Sequence, residues 1–363
     1  MQWSLFLLIL MGQWSFFTCH LYEYHFIGEE KTWDEAQKYC KQNYTDLATV
    51  TNMADVRRLL DATGQQREAW IGLYNQTNDN KMWHWSLPGV EFNDSETRWG
   101  DQQPNDCRGV ENCVCIDPKT SWNDVLCTEN YKVICYNETN QSNEFKMIEN
   151  QMTWPQAQKY CREHHTDLVS GLNQAMLIRN ITSERTWIGL FRDTWRWSDG
   201  SSSSFRSSDL KLFTNQEGNK KCAMAELNGS GKWDSDDCSK TKPFFCYEDK
   251  VILIKESKTW EEALYYCREN YSDLVSITNP HQQMWVQERA KNASTDFVWL
   301  GLRYTCTLDL WFWVSNDGVN YTNWDPDRKS DDCGMSGAMD RGGQHQWVTK
   351  PDNNKFNFIC SKC

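Results

Sequence analysis

Between residues 103 and 124 the chain gathers oxygen-bearing side chains: Gln103, Asn105, Glu111, Asn123 and Asp124. With one backbone carbonyl, these five would approach the six to eight oxygens that calcium takes, since a hard cation prefers carboxylate and amide oxygens. Only Glu111 and Asp124 carry charge. Calcium affinity follows the ligand charge count, so a site here is expected to be weak. The other reading of the same residues is a worn polar loop that holds no metal. Enzyme chemistry is not signalled. The chain has no Gly-x-Ser-x-Gly, His-Glu-x-x-His, Gly-rich phosphate loop or dinucleotide fingerprint, and His164-His165 reads as a surface pair after a helix. The net charge of −12 at pH 7 speaks against a nucleic-acid partner, which would need clustered Lys and Arg.

The elements that must position these residues recur three times along the 363-residue chain, which is long enough for two or three compact domains. Thr32-Trp33-Asp34-Glu35 through Cys40, Thr153-Trp154-Pro155-Gln156 through Cys161, and Thr259-Trp260-Glu261-Glu262 through Cys267 each read as a helix. A Thr N-cap with Glu or Gln three residues later forms a capping box, and Pro155 falls in the first turn, where its missing N–H does no harm. Trp33, Ala36 and Cys40 share one face at i, i+3 and i+7, so the cysteine points into a core. A Thr-Asp-Leu or Ser-Asp-Leu step follows in each copy, then a second helix, clearest over 53–60. Next comes a short apolar strand with a glycine inside it: Trp70-Ile71-Gly72-Leu73, Trp187-Ile188-Gly189-Leu190 and Trp299-Leu300-Gly301-Leu302. A glycine there marks a bulge or a close backbone approach. Aromatic runs, a long polar stretch and a closing strand ending at Cys135, Cys246 or Cys360 complete the copy. Two helices followed by strands around long loops is an α+β plan.

Sixteen cysteines and ten Asn-x-Ser/Thr sequons, from Asn43 to Asn320, point to an oxidising, glycosylating compartment. The apolar run over 5–11 is too short to span a bilayer and sits where a signal peptide would, so residues 1–20 are excluded from the fold. No later segment approaches eighteen uninterrupted apolar residues, and the mature chain is expected to be secreted and extracellular, without a membrane span. The helix cysteine and the closing-strand cysteine of each copy can be paired as Cys40–Cys135, Cys161–Cys246 and Cys267–Cys360. An inner pair fits the first two copies, Cys113–Cys127 and Cys222–Cys238, and Cys306–Cys333 fits the third. Spacing alone permits other connectivities. Cys107 and Cys115 would pair with each other or, equally, one of them with Cys19 or Cys363. Cleavage after Cys19 leaves an odd number, with Cys363 free to link two chains in a disulfide-bonded dimer.

The capped helix with its cysteine, the Trp-Ile-Gly-Leu strand, the late Trp122-Asn123-Asp124 and the framework cysteines together closely resemble the C-type lectin-like domain family, and the tandem array is similar to mannose-receptor-like lectins. The resemblance implies three disulfide-stapled modules of two helices with small antiparallel sheets and long loops. A signal peptide over 1–20 precedes module 1 over 21–137, and a linker over 138–143 leads to module 2 over 144–248 and module 3 over 249–363. It further implies that Gln103-Pro104-Asn105, Glu111, Asn123 and Asp124 hold calcium, that the Pro104 bond is cis, and that Gln103, Asn105, Glu111 and Asn123 also meet the sugar. Module 2 has no proline in the matching loop (214–219) and reads Trp233-Asp234-Ser235. Module 3 has Asp325-Pro326-Asp327 but then Trp347-Val348-Thr349. Both are expected to be blind to calcium, with Asp234, Asp236, Asp237, Asp331 and Asp332 as solvated loop charges. The function implied is calcium-dependent binding of glycans, mannose-like sugars favoured weakly, and by family analogy innate immunity. The alternative is a calcium-independent protein-binding or inhibitor array acting through modules 2 and 3. Ice binding, known in this fold, ranks third.

Overall fold

The computed structural model describes residues 21–62, 68–75, 81–138, 144–178, 184–201, 203–207, 220–227 and 231–362. The expected signal peptide, Cys19, most of the linker, the loop 214–219 and Cys363 lie outside them. The chain divides into two compact units, one over Tyr24–Glu248 and the other mainly over Asp249–Cys363.

The three expected helices form over Trp33–Asn43, Trp154–His164 and Trp260–Asn270. Their starts are fixed by the predicted boxes. Glu35 accepts the Thr32 N–H at 3.1 Å while Thr32 accepts the Glu35 N–H at 3.4 Å, and Thr259 with Glu262 repeats the exchange. Each helix is tied to its own repeat's apolar strand by the first tryptophan. The indole N–H of Trp33 donates to the Ile71 carbonyl at 2.9 Å, that of Trp154 to Ile188 at 2.8 Å and that of Trp260 to Leu300 at 2.9 Å. The strand glycine allows a close approach. A Cβ on Gly72 would lie 2.9 Å from the Leu47 carbonyl oxygen, and one on Gly301 2.7 Å from that of Leu274.

Beyond that strand the repeats diverge. In the third copy, strand Phe297–Thr305 turns back onto its own successor, Leu310–Trp313, with Leu302 opposite Trp313. In the first two copies the successors are exchanged. Strand Met82–Trp85 of repeat 1 pairs with Thr186–Asp193 of repeat 2, Trp85 opposite Leu190, and strand Trp195–Trp197 of repeat 2 pairs with Glu68–Asn75 of repeat 1, Trp197 opposite Leu73. Two lobes result. An inner lobe, continuous in sequence from residue 82 to 193, carries the sheet ordered Trp122–Val125, Cys113–Ile116, Thr186–Asp193, Tyr131–Tyr136, Phe145–Met152. An outer lobe, made of residues 22–75 and 195–249, carries the sheet ordered Tyr22–Lys31, Lys242–Asp249, Glu68–Asn75, Lys220–Glu226, Trp233–Asp237. The inner lobe is thus inserted at the tip of a hairpin of the outer one, a place where insertion disturbs few core contacts.

This exchange corrects two of the expected bridges. Cys40 bonds Cys246, and Cys135 bonds Cys161, with Cα atoms 5.3 Å apart in both, in place of Cys40–Cys135 and Cys161–Cys246. The reason is placement. Cys40 packs with Trp33, Trp70, Phe244 and Cys246 in the outer core, whereas Cys135 packs with Trp154, Cys161 and Trp187 in the inner one. The bridges Cys113–Cys127, Cys222–Cys238, Cys267–Cys360 and Cys306–Cys333 form as expected. Cys107 and Cys115 do not pair with each other. Both are free thiols, Cys107 exposed in a short turn and Cys115 buried on strand Cys113–Ile116, where burial pushes its thiol up to about 12.

The crossing point is held by a buried acid. Asp193, the last residue of its strand, accepts the Arg206 Nε–H at 3.1 Å and the Trp195 backbone N–H at 3.1 Å, and lies 3.5 Å from His84 Nε2. Burial opposes its ionisation, but Arg206 and His84 outweigh that and hold its carboxyl down to about 2.

Candidate functional site

The oxygen-rich loop belongs to the inner lobe. Strands Cys113–Ile116 and Trp122–Val125 pair antiparallel, Val114 opposite Asp124 and Cys115 opposite Asn123, which sets Asn123 and Asp124 side by side beneath the loop. Asp124 is buried and organises the chain above it. Its Oδ1 accepts the Asn105 N–H at 2.9 Å and its Oδ2 the Asp106 N–H at 2.9 Å. The Gln103–Pro104 bond is cis, the one such bond among the described residues.

The loop backbone is unusual. Gln102, Asp106 and Arg108 have φ of 60°, 43° and 60°, left-handed conformations that non-glycine residues hold only when surroundings fix them. Those fixings are visible. Asp106 accepts the Glu111 N–H at 3.2 Å, Glu111 accepts the Cys107 N–H at 2.8 Å, and Lys81 reaches Asp106 at 3.2 Å and the Gly109 carbonyl at 2.7 Å.

The donor set fits a hard cation on one observation in particular. Gln103 Oε1 is buried without a hydrogen-bond partner among the described residues, a cost that a bound cation would relieve. Asn123 donates its amide to the Ser121 carbonyl at 3.1 Å, which turns its own oxygen free for such a role. Gln103, Asn105 and Glu111 thus stand on the loop, and Asn123 and Asp124 on the strand whose Asp124 accepts the loop's Asn105 and Asp106 N–H groups.

What sequence reasoning missed is a cation already there. Arg192, from the repeat 2 strand, donates through Nη2 to Asp124 Oδ2 at 2.6 Å and lies 2.9 Å from Asp106 Oδ1. Its Nε and Nη2 also donate to the Glu111 carbonyl at 3.0 and 2.6 Å, and its guanidinium lies over the Trp83 ring, 4.5 Å from the centroid. No local signal marks Arg192, because its role depends on which strand lies beside the loop.

The other two copies lack this assembly among their described residues. In repeat 2, Ser235 takes the position of Asp124 on strand Trp233–Asp237. Asp236 is not a solvated charge as expected: burial opposes its ionisation, yet Lys240 at 2.8 Å and Lys242 at 3.0 Å hold it down to about 2. In repeat 3, Asp325 is paired with Arg328, which also reaches Asp340 at 3.2 Å, and Asp331 accepts the Trp311 indole N–H at 2.6 Å.

Three α+β bodies, each with a capped helix, a glycine-bearing apolar strand, a closing-strand disulfide and long loops, define an array of lectin-type modules. The chain belongs to the Lectin C-type domain family, whose sequence profile matches residues 29–137, 150–248 and 256–362. It is 24% identical over 396 residues to C-type mannose receptor 2 of Homo sapiens, covering 91% of this chain and 26% of that protein. It is 24% identical over 412 residues to the secretory phospholipase A2 receptor of Oryctolagus cuniculus, covering 91% of this chain and 27% of that one. The chain thus spans about a quarter of the length of these relatives, which are lectin and receptor proteins. Among solved structures, human lithostathine is similar at 26% identity with a TM-score of 0.29, covering 30% of this chain and 80% of that one.

Proposed function

We propose that the protein is a secreted, calcium-dependent lectin whose sugar site lies on the inner lobe. The carrying observation is the buried Gln103 Oε1, without a hydrogen-bond partner among the described residues, on the loop that also bears Asn105 and Glu111 and whose backbone Asp124 holds. Calcium held there would supply coordination for two sugar hydroxyls, and the chain's own side chains would then meet those hydroxyls with hydrogen bonds. Glu111 and Asn123 offer an acceptor and a donor for one hydroxyl. Gln103 and Asn105 offer two amide donors for the other, which leaves its proton without an ionised acceptor and makes the site permissive. Membership of a family named for lectins, and the mannose receptor among its relatives, support glycan binding. Six disulfides among the described residues support an oxidising, extracellular setting, and no helix there is long and apolar enough to cross a membrane. The lectin and receptor character of the chain's relatives supports a binding role, and innate immune recognition is the biological setting that the family suggests.

The test is a glycan array probed with the purified protein in calcium and again in chelator. Chelator-sensitive binding that disappears in Asn105→Ala and in Asp124→Ala is the expected result. Binding by either variant at the wild-type level would show that the sugar sits elsewhere. A calcium-independent, protein-binding array is the second reading, and the Arg192–Asp124 ion pair favours it, because it gives the loop a charge partner without metal. Chelator-insensitive binding to a protein partner would select it.

A further inference from the structure

The ligand loop and the arginine beside it come from different repeats. Asp124 and Asp106 belong to repeat 1, whereas Arg192 is the sixth residue of the repeat 2 stretch that begins at Trp187. The corresponding residue of repeat 1 is Asn75. Phe191 faces Cys113 in one sheet and Tyr74 faces Cys222 in the other, so Arg192 and Asn75 occupy the same step past the first inner cysteine. Asn75 stands in the outer lobe, its Oδ1 accepting the Thr194 hydroxyl at 2.9 Å. Pairing confined to one repeat would place a neutral amide beside Asp124. The exchange places a guanidinium there.

We propose that Arg192 is a resident competitor for the cation of this site: it neutralises Asp124 and Asp106 in the metal-free protein and must release Asp124 before calcium can use it. Four features carry this. The guanidinium makes its shortest carboxylate contact, 2.6 Å, with Asp124, one of only two charged ligands in the set. Its side chain is only 9% exposed, so water screens the pair little. The same group holds the Glu111 carbonyl, and thereby the backbone of the second charged ligand. Finally, Trp83 backs the guanidinium, which gives it a defined resting place. A cation fixed between carboxylates lowers their affinity for a second cation, since like charges repel most strongly where solvent is excluded. In this arrangement repeat 2 sets the calcium affinity of a site whose ligands all lie in repeat 1.

The inference rests on the calcium reading above, and the experiment separates the two. Calcium chloride alone is titrated calorimetrically into the full chain, wild type and Arg192→Gln, and both proteins are melted in chelator and in saturating calcium. Hydrogen bonds to charged groups are strong enough that Arg192→Gln should bind calcium at least about ten-fold tighter. In chelator it should melt below wild type, with a larger upward shift on adding calcium, and Asp124→Ala in the same background should remove the gain. Equal or weaker calcium binding by Arg192→Gln, with wild type binding, overturns the role of Arg192 and leaves the calcium site standing. Absence of calcium binding in both proteins overturns both. Should Arg192→Gln fail to fold, Arg192→Lys keeps a charge but loses the planar fork, and it should bind calcium several-fold tighter than wild type; an unchanged affinity in that variant overturns the proposal.

Discussion

The unit over Asp249–Cys363 and the unit over Tyr24–Glu248 are built from the same repeat and solve the same packing problem in two ways. In the first, one repeat closes on itself: strand Val251–Lys258 pairs with Phe356–Ser361, and Cys267 bonds Cys360 across a sequence separation of 93. In the second, two repeats complete each other, and the corresponding bridges span 206 and 26 residues. The local chemistry is unchanged, down to the tryptophan indole that clasps its own strand. What differs is the last residue of that strand, where repeat 3 has Thr305 and repeat 2 has the buried Asp193. Identical local rules therefore leave the partner of a half-module open, and the residues at the crossing decide which side chains meet at a site.

The largest effect expected from this contrast concerns the long bridge. Replacing Cys40 and Cys246 together by Ala should lower the stability of the Tyr24–Glu248 unit by about 5 kcal/mol in the chain-entropy view. The transition of the Asp249–Cys363 unit should stay in place, as two-transition calorimetry would show. Peptide mapping under non-reducing conditions is the complementary check, and a Cys40–Cys135 linked peptide would break the comparison outright. Next comes the crossing acid. Asp193 titrates near 2 in the folded chain, below the usual carboxylate value near 4, so its stabilisation is present above about pH 4 and fades as pH falls towards 2. Asp193→Asn should cost about 2 kcal/mol at pH 7 and only a small part of that near pH 2, affecting only the unit that holds it. Urea unfolding at several pH values reads this, and an equal loss at pH 2 would show that packing rather than charge is at stake. Smaller again is Gln103→Glu, which restores an ionised acceptor at the second hydroxyl and should raise calcium and mannose affinity about ten-fold, near 1.4 kcal/mol. Calorimetry with calcium and then mannose tests it, equal or weaker binding speaking against the donor–acceptor argument. Smallest in folding energy is Cys363→Ser, expected to convert a disulfide-linked dimer to monomer on non-reducing electrophoresis without moving either melting transition.

Much of this was legible in the sequence. The capping boxes, the core-facing helix cysteines and the glycine strand each depend on neighbours within a few residues or on a repeated motif, and each stands where the spacing put it; the cis bond at Pro104 is as the resemblance implied. The exchange was not legible, because Trp70–Leu73 and Trp187–Leu190 present nearly the same apolar edge to any closing strand. Loop entropy does not choose either, since both bridge patterns are worth about 9 kcal/mol in total on the chain-entropy scale. Arg192 went unseen for the same reason. Cys115 could have been placed: Cys113 and Cys115 are two residues apart on one strand, hence on one face, so a core-facing Cys113 takes Cys115 inward and away from the exposed Cys107.

The nesting of one lobe inside the other also sets an order of events during synthesis. The inner lobe ends at residue 193 and can close while the chain is still being made, but Cys40 must wait for Cys246, 206 residues later. At ordinary elongation rates that is about 10 to 40 s in which Cys40 lacks its native partner while Cys135 and then Cys161 emerge. Whether Cys135 meets Cys161 before it meets Cys40 is then a race between a short loop and a long one, and the short loop closes faster. A nascent chain that loses this race carries a non-native bridge that thiol–disulfide exchange must reopen, which makes the folding yield a function of how quickly the ribosome moves past residue 161.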